Sequence, residues 1–153
     1  MTAKLEIRLA KCHDQPALLA LQWRASLTND EDRPHLLANP EVVVVPAEQI
    51  ASGQVILAEA DGQLAGFAVV LPREPGEAEL DGLFVEPDLW RRGVGKALVQ
   101  AVETMALEQG CAWMHVVANP AALGFYERIG FVAYGEAKVQ FGRAIGMRKR
   151  LGR

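Results

Sequence analysis

Residues 91–96, Arg91-Arg92-Gly93-Val94-Gly95-Lys96, place three cations around a Gly-X-Gly within one short stretch. An apolar run, Leu80 to Val85, leads into it through the Pro87 turn, and an amphipathic pattern of helical period follows at once. Such a junction turns unpaired backbone N–H groups and the positive end of a helix dipole toward one point, which suits an anionic phosphate. Glycines there let a ligand reach the backbone with no Cβ in the way. Taken alone, the segment reads equally well as a tight strand-to-helix turn.

Two common phosphate sites are excluded by the letters. A P-loop requires G-x-x-x-x-G-K-[ST], but Ala97 follows Gly95-Lys96 and Trp90 stands where the first glycine belongs. A dinucleotide loop requires G-x-G-x-x-G/A, and Leu98 occupies the last position. Other chemistries fare no better. Ser26 and Ser52 are the only serines, and neither lies in G-x-S-x-G. His13, His35, His115, Cys12 and Cys111 show no metal-ligand spacing, so no metal is expected.

The elements that position this junction follow from periodicity. Leu5 to Leu9 alternates as an edge-region strand. Asp14 to Thr28 reads as a helix with Asp14 as N-cap, Pro16 in its first turn and Leu18, Leu21, Trp23 and Ala25 on or near an apolar stripe. Pro34 to Ala38 reads as a short helix, Val42 to Val45 as a strand limited by its flanking prolines or no strand at all, and Gln49 to Ser52 as a helical end closed by Gly53. Val55 to Ala60 and Leu64 to Leu71 form a hairpin about Asp61-Gly62, a strong type I′ signal.

Glu77 to Val85 is the next strand. The helix beyond the junction carries Val94, Ala97, Leu98, Ala101, Val102 and Met105 on one stripe and ends at Gly110. Trp113 to Ala118 is a buried-type strand. Asn119-Pro120 opens a helix that Gly130 closes, and Phe131 to Phe141 and Ala144 to Leu151 are closing strands. The whole is a mixed α/β sheet in one domain over residues 1–153.

Composition sets the outer limits. A chain of 153 residues with 50% hydrophobic and 23% charged residues is ordinary for a globular protein that needs no disulfide or metal to hold its core. The net charge of −3 argues against nucleic acid as a partner. Positive charge is local, at Arg91, Arg92 and Lys96 and in the five cations of Arg143 to Arg153, the latter expected to be the solvated face of a last strand. Two unframed cysteines, no signal-peptide pattern and no long apolar run point to a soluble cytoplasmic protein with no membrane partner.

A second segment completes a pattern. Asn119-Pro120-Ala121-Ala122-Leu123-Gly124-Phe125-Tyr126-Glu127-Arg128-Ile129-Gly130-Phe131, taken with Val85-x-Pro87 and with Arg92 to Leu98, resembles the GNAT superfamily of acetyl-CoA-dependent N-acyltransferases. The resemblance is firm from about residue 55 to 150, the expected CoA-binding core. It is vague over about 12–52, where such proteins shape the acceptor pocket with helices.

The resemblance implies a mostly antiparallel mixed sheet of about six to seven strands flanked by about four helices, with a splayed strand pair forming the CoA slot. It implies that the backbone of Leu83, Phe84 and Val85 pairs with the pantetheine arm. Arg91, Arg92, Gly93, Val94, Gly95 and Lys96 would then hold the pyrophosphate, and Asn119, Ala122 and Tyr126 would also touch the cofactor. The loop departs from the family at Trp90-Arg91, where Gln or Arg and then Gly are common. Trp90 either covers CoA or packs against the helix, and packing is expected.

The resemblance also assigns chemistry. Tyr126 stands where the family often places the acid that protonates the departing thiolate, and a phenol of pKa about 10 holds its proton at neutral pH. A core tyrosine on a helix face is the plain alternative. An alkyl amine is neutral to only about one part in 2,500 at pH 7, equivalent to roughly 4.6 kcal/mol, so a base would help. Glu79 matches the family's position for one, with Asp81 and His115 as alternatives.

Trp23, Arg24, Asp30 to Asp32 and His35 are candidates for shaping the acceptor pocket, and a solvated loop explains the acids as well. The expected function is acetyl transfer from acetyl-CoA to a primary amine by direct attack in a ternary complex. The rival is a non-catalytic acyl-CoA-binding module on the same fold. Association of two copies, common in the family, is not visible in the sequence.

Overall fold

A computed structural model describes residues 4–137 and 143–152. The strands are β1 (Leu5–Leu9), β2 (Val55–Ala60), β3 (Gln63–Pro72), β4 (Glu77–Val85), β5 (Trp113–Ala118), β6 (Val132–Ala137) and β7 (Ala144–Arg150). The α-helices are α1 (Gln15–Ser26), α2 (Arg33–Ala38), α3 (Ala47–Ala51), α4 (Val94–Glu108) and α5 (Leu123–Arg128). The strands form one mixed sheet in the order β1-β2-β3-β4-β5-β7-β6. The expected extension of the first closing strand to Phe141 lies outside the described residues.

The chain gathers into two compact units, Met1–Val69 with Gly82–Ala101 and Val70–Asp81 with Val102–Arg153. In the first, β1, β2 and β3 pair antiparallel. Asp61 and Gly62 both take positive φ, 53° and 79°, as a type I′ hairpin turn requires. Leu18 and Leu21 from α1, Val55 and Leu57 from β2, Phe67 from β3 and Leu98 from α4 are fully buried. Phe67 lies against Phe84 with ring centroids 5.1 Å apart. Gly66 is required there, because a Cβ would stand 2.8 Å from the Phe84 carbonyl oxygen.

One expectation needs correction in this unit, and one open alternative is resolved. Asp14 does precede α1, but its carboxylate makes no cap bond to that helix. It instead accepts from the Arg8 guanidinium at 2.9 and 3.0 Å and from the Lys11 N–H at 2.7 Å. Arg8, also bonded to Glu59 at 2.8 Å, holds the Asp14 carboxyl down at about 2. The valines at 42–45 form no strand: Pro40–Val42 is a 3-10 turn, and Val43 and Val45 are buried while Val44 is exposed. Prolines at both ends leave too little chain to pair.

In the second unit, β4 and β5 run parallel, and β7 pairs antiparallel with β5 and with β6. Met114, Val116 and Ala118 of β5 and Met147 of β7 are buried with Val102 and Ala106 of α4 and Phe131. Lys149 is tied to Glu103 of α4 at 2.9 and 3.1 Å. The Asn119 carboxamide accepts from the Ala122 N–H at 3.0 Å, the expected cap, opening a 3-10 turn that leads into α5.

The β4–β5 ladder runs from Glu77↔Trp113 to Leu80↔Val116 and ends there, although β4 continues to Val85 and β5 to Ala118. β5 keeps its other neighbour to the end, pairing Ala118 with Ile145.

Candidate active site

The junction after β4 is built as its letters imply. Glu86 N–H donates to the Ala65 carbonyl at 2.8 Å, and Pro87–Leu89 forms a 3-10 turn. Arg91 and Gly93 then take positive φ, 66° and 85°, and α4 begins at Val94. The first bond reaching back into this end of α4 is Ala97 N–H to Gly93 oxygen at 3.0 Å. The N–H groups of Val94, Gly95 and Lys96 stand ahead of it, at the positive end of a helix of 15 residues. A Cβ on Gly93 would meet nothing within 4 Å, so the space before the loop is open.

Arg91, Arg92 and Lys96 are exposed and carry no ion pair among the described residues. The arrangement suits a pyrophosphate: backbone donors, an open approach and three cations. Arg91 fills a left-handed position that glycine occupies without strain, which costs an ordinary side chain about 1 kcal/mol or more.

Trp90 departs from expectation. Its side chain is 48% exposed rather than buried against the helix, and its indole N–H donates to the Val85 carbonyl at 2.9 Å. One acceptor at the end of β4 is therefore engaged within the chain. Arg24 is likewise committed, since its guanidinium makes a two-point ion pair with Glu86 at 2.7 and 3.1 Å. In the acidic loop, burial and Glu31 beside it raise the Asp32 carboxyl above its ordinary value.

The second unit holds the other expected residues. Tyr126 is buried on α5, with Phe125 and Phe131 packed edge-on at 5.1 and 5.5 Å. Burial raises its pKa above that of a free phenol, so it keeps its proton through neutral pH. Glu79 of β4 lies in register with His115 of β5. Asp81 is exposed on the same strand, its carboxyl raised by desolvation.

His115 is 7% exposed, and its Nε2 N–H donates to the Glu77 carboxylate. Its Nδ1 is buried without a hydrogen-bond partner among the described residues. A buried imidazole nitrogen left unpaired carries a desolvation cost, so this ring is an unusual feature of the face.

Sequence reasoning missed Glu77, Trp113, Tyr134, Arg148 and Arg150, which surround His115. Arg148 stacks on Trp113 at 4.8 Å and reaches Tyr134 at 5.9 Å; Arg150 stacks on Trp113 at 5.5 Å. His115 and Tyr134 meet edge-on at 6.1 Å. The alternation of Glu77, Glu79 and Asp81 was visible in the letters. The register that aligns His115 with Arg148 was not.

Comparison with known proteins agrees with the geometry. Residues 17–131 match the profile of the acetyltransferase (GNAT) family. A peptidyl-lysine N-acetyltransferase of Salmonella typhimurium is 27% identical over 136 residues, covering 88% of each chain. A second peptidyl-lysine N-acetyltransferase, from Escherichia coli K12, is 33% identical over 132 residues, 82% of each chain.

Among solved structures, a PaiA N-acetyltransferase of Thermoplasma acidophilum in complex with coenzyme A superimposes with a TM-score of 0.78. It shares 20% identity and covers 96% of this chain and 99% of its own, which establishes the shared fold. With a seven-stranded mixed sheet and these relatives, the chain belongs to the acetyltransferase (GNAT) family and is an N-acetyltransferase.

Proposed function

We propose that the protein transfers an acetyl group from acetyl-CoA directly to a primary amine on a protein or peptide, working as one domain. The observation that carries this reading is the loop at 91–96: two consecutive left-handed turns, at Arg91 and Gly93, feed the N–H groups of α4's first turn. Arg91, Arg92, Gly93, Val94, Gly95 and Lys96 bind the donor's pyrophosphate. The backbone of Leu83, Phe84 and Val85 receives its pantetheine arm, and one of these N–H groups polarises the thioester carbonyl. Asn119 and Ala122 contribute further contacts to the same donor.

Glu79 accepts a proton from the incoming ammonium as the general base. The amine nitrogen then attacks the carbonyl carbon and gives up its second proton to solvent, the carbon–sulfur bond breaks, and Tyr126 gives its proton to the departing thiolate and regains one from solvent. The raised pKa of Tyr126 supports the donor role, since the phenol arrives protonated. Protein amines are proposed as acceptors because the two curated relatives are named for peptidyl-lysine. No helix of the described residues is long and apolar enough to cross a membrane, and the free thiols of Cys12 and Cys111 fit a reducing, cytoplasmic setting.

The test is calorimetric titration of acetyl-CoA into the protein and into Gly93→Asp and Gly93→Ala. Binding in the micromolar range, reduced far more by Asp than by Ala, supports the loop as an anion site. Well-folded protein that binds neither acetyl-CoA nor longer acyl-CoAs overturns the reading.

A further inference from the structure

Some ionic groups in this chain are paired, Arg8 with Asp14 and Glu59, Arg24 with Glu86, Lys149 with Glu103. On one sheet face in the second unit, charged side chains without carboxylate or cation partners among the described residues gather in one register. Along β7, alternate side chains turn to opposite faces. Lys149 reaches Glu103 of α4, while its neighbours Arg148 and Arg150 turn the other way. There they lie over the ring of Trp113, exposed, and with no carboxylate partner among the described residues. Stacking holds each guanidinium in place without using its hydrogen-bond donors.

The register lays out the rest of the face. Glu79, His115 and Arg148 stand abreast on β4, β5 and β7, and Glu77, Trp113 and Arg150 stand abreast one step along. Glu77 is engaged by His115, whereas Glu79 has no partner among the described residues. Across the face, the backbone positions of Glu79 and Arg148 are therefore two strand spacings apart, about 10 Å. Between them lies the buried His115 with its unpartnered Nδ1. Beside Arg148, the exposed ring of Tyr134 and the exposed Val132 offer apolar surface.

We propose that this face selects the acceptor: it takes an extended peptide whose carboxylate side chain lies about 10 Å from the amine to be acetylated. Arg148 and Arg150 bind the carboxylate, and Glu79 faces the ammonium. In an extended chain that distance is about three residues, so the preferred substrate is an acidic segment near the acceptor amine. The inference rests on the transferase reading above for the role of Glu79, and on the register and ring stacking for the role of the arginines. Pre-positioned guanidinia favour such a carboxylate because a charge-assisted, two-point hydrogen bond forms with little further ordering.

The test compares short peptides bearing a single amine, either one lysine with a blocked N-terminus or a free α-amine. Glu, Gln or Arg is placed about three residues away. The intact protein should acetylate the Glu peptides with kcat/KM at least about tenfold above the Gln peptides, the difference lying in KM. In the Arg148→Gln, Arg150→Gln double variant the Glu-to-Gln ratio should fall to near one. A ratio near one in the parent protein, or a ratio that survives the double substitution, overturns the proposal.

Fluorescence anisotropy with labelled Glu and Gln peptides reads the same preference without turnover. If no amine is acetylated, the transferase reading fails, and the binding ratio still decides this proposal. The substituted side chains are exposed, so loss of folding is not the expected outcome, and a thermal melt of the variant checks it.

Discussion

The loop at 91–96 and the face around His115 are built from different materials. The loop is made of backbone: two positive φ values and a helix start, with side chains that mainly add charge. The face is made of side chains drawn from β4, β5, β6 and β7, with the backbone serving only to set their register. A backbone site is local, written in consecutive letters. A side-chain site is assembled from residues 77 to 150 and is written nowhere in one piece. In the proposed function the first serves the donor and the second the acceptor.

Substitutions at the two places should therefore fail differently. Gly93→Asp puts a strained backbone and a negative charge at the anion site. Acetyl-CoA affinity by calorimetry should fall by at least about a hundredfold, against a few-fold for Gly93→Ala, which carries the strain alone. Equal losses would mean that conformation, and not charge, is what the loop supplies. Tyr126→Phe should lower kcat by about ten- to a hundredfold with acetyl-CoA affinity retained. A matching fall in melting temperature with unchanged kcat would return Tyr126 to the core.

Smaller effects are expected away from both regions. Asp14→Asn removes a carboxylate that Arg8 holds at about 2, below its ordinary value near 3.8. A depressed carboxyl stabilises the fold fully above its ordinary value, and that contribution is lost as pH falls toward 2. The variant should thus melt lower than the parent at pH 7, and the gap should narrow as the pH is brought from 5 down toward 2. A gap independent of pH would show that the charge is not the source. Arg91→Gly should be the mildest: relief of the left-handed strain and the added freedom of the unfolded chain nearly cancel, changing stability by less than about 1 kcal/mol. Its acetyl-CoA affinity should still drop through the lost cation.

Much of the fold was legible because its signals are local. The Asp61-Gly62 turn, the Asn119 cap, and the bounds of β2, β4 and β5 follow from alternation and turn chemistry within a few residues. The valines at 42–45, open between strand and none in the sequence, form none because the flanking prolines leave no length for a ladder. The misreadings have physical causes. Asp14 was read as a cap because caps are local. Its carboxylate found a stronger partner in Arg8, six residues earlier at the end of β1. Trp90 was read as apolar mass, and its N–H instead found the Val85 carbonyl.

The sequence by itself determined the family, the order of the elements and the turn that opens α4, since glycine spacing, helix starts and strand alternation act over a turn or two of chain. Only the tertiary structure decided which charges remain without partners. Whether Arg148 meets a carboxylate or a tryptophan ring depends on the register of β5 against β7, and whether Glu77 or Glu79 is engaged depends on where His115 falls between them. The pairings of this face are long-range, set by strands distant in sequence.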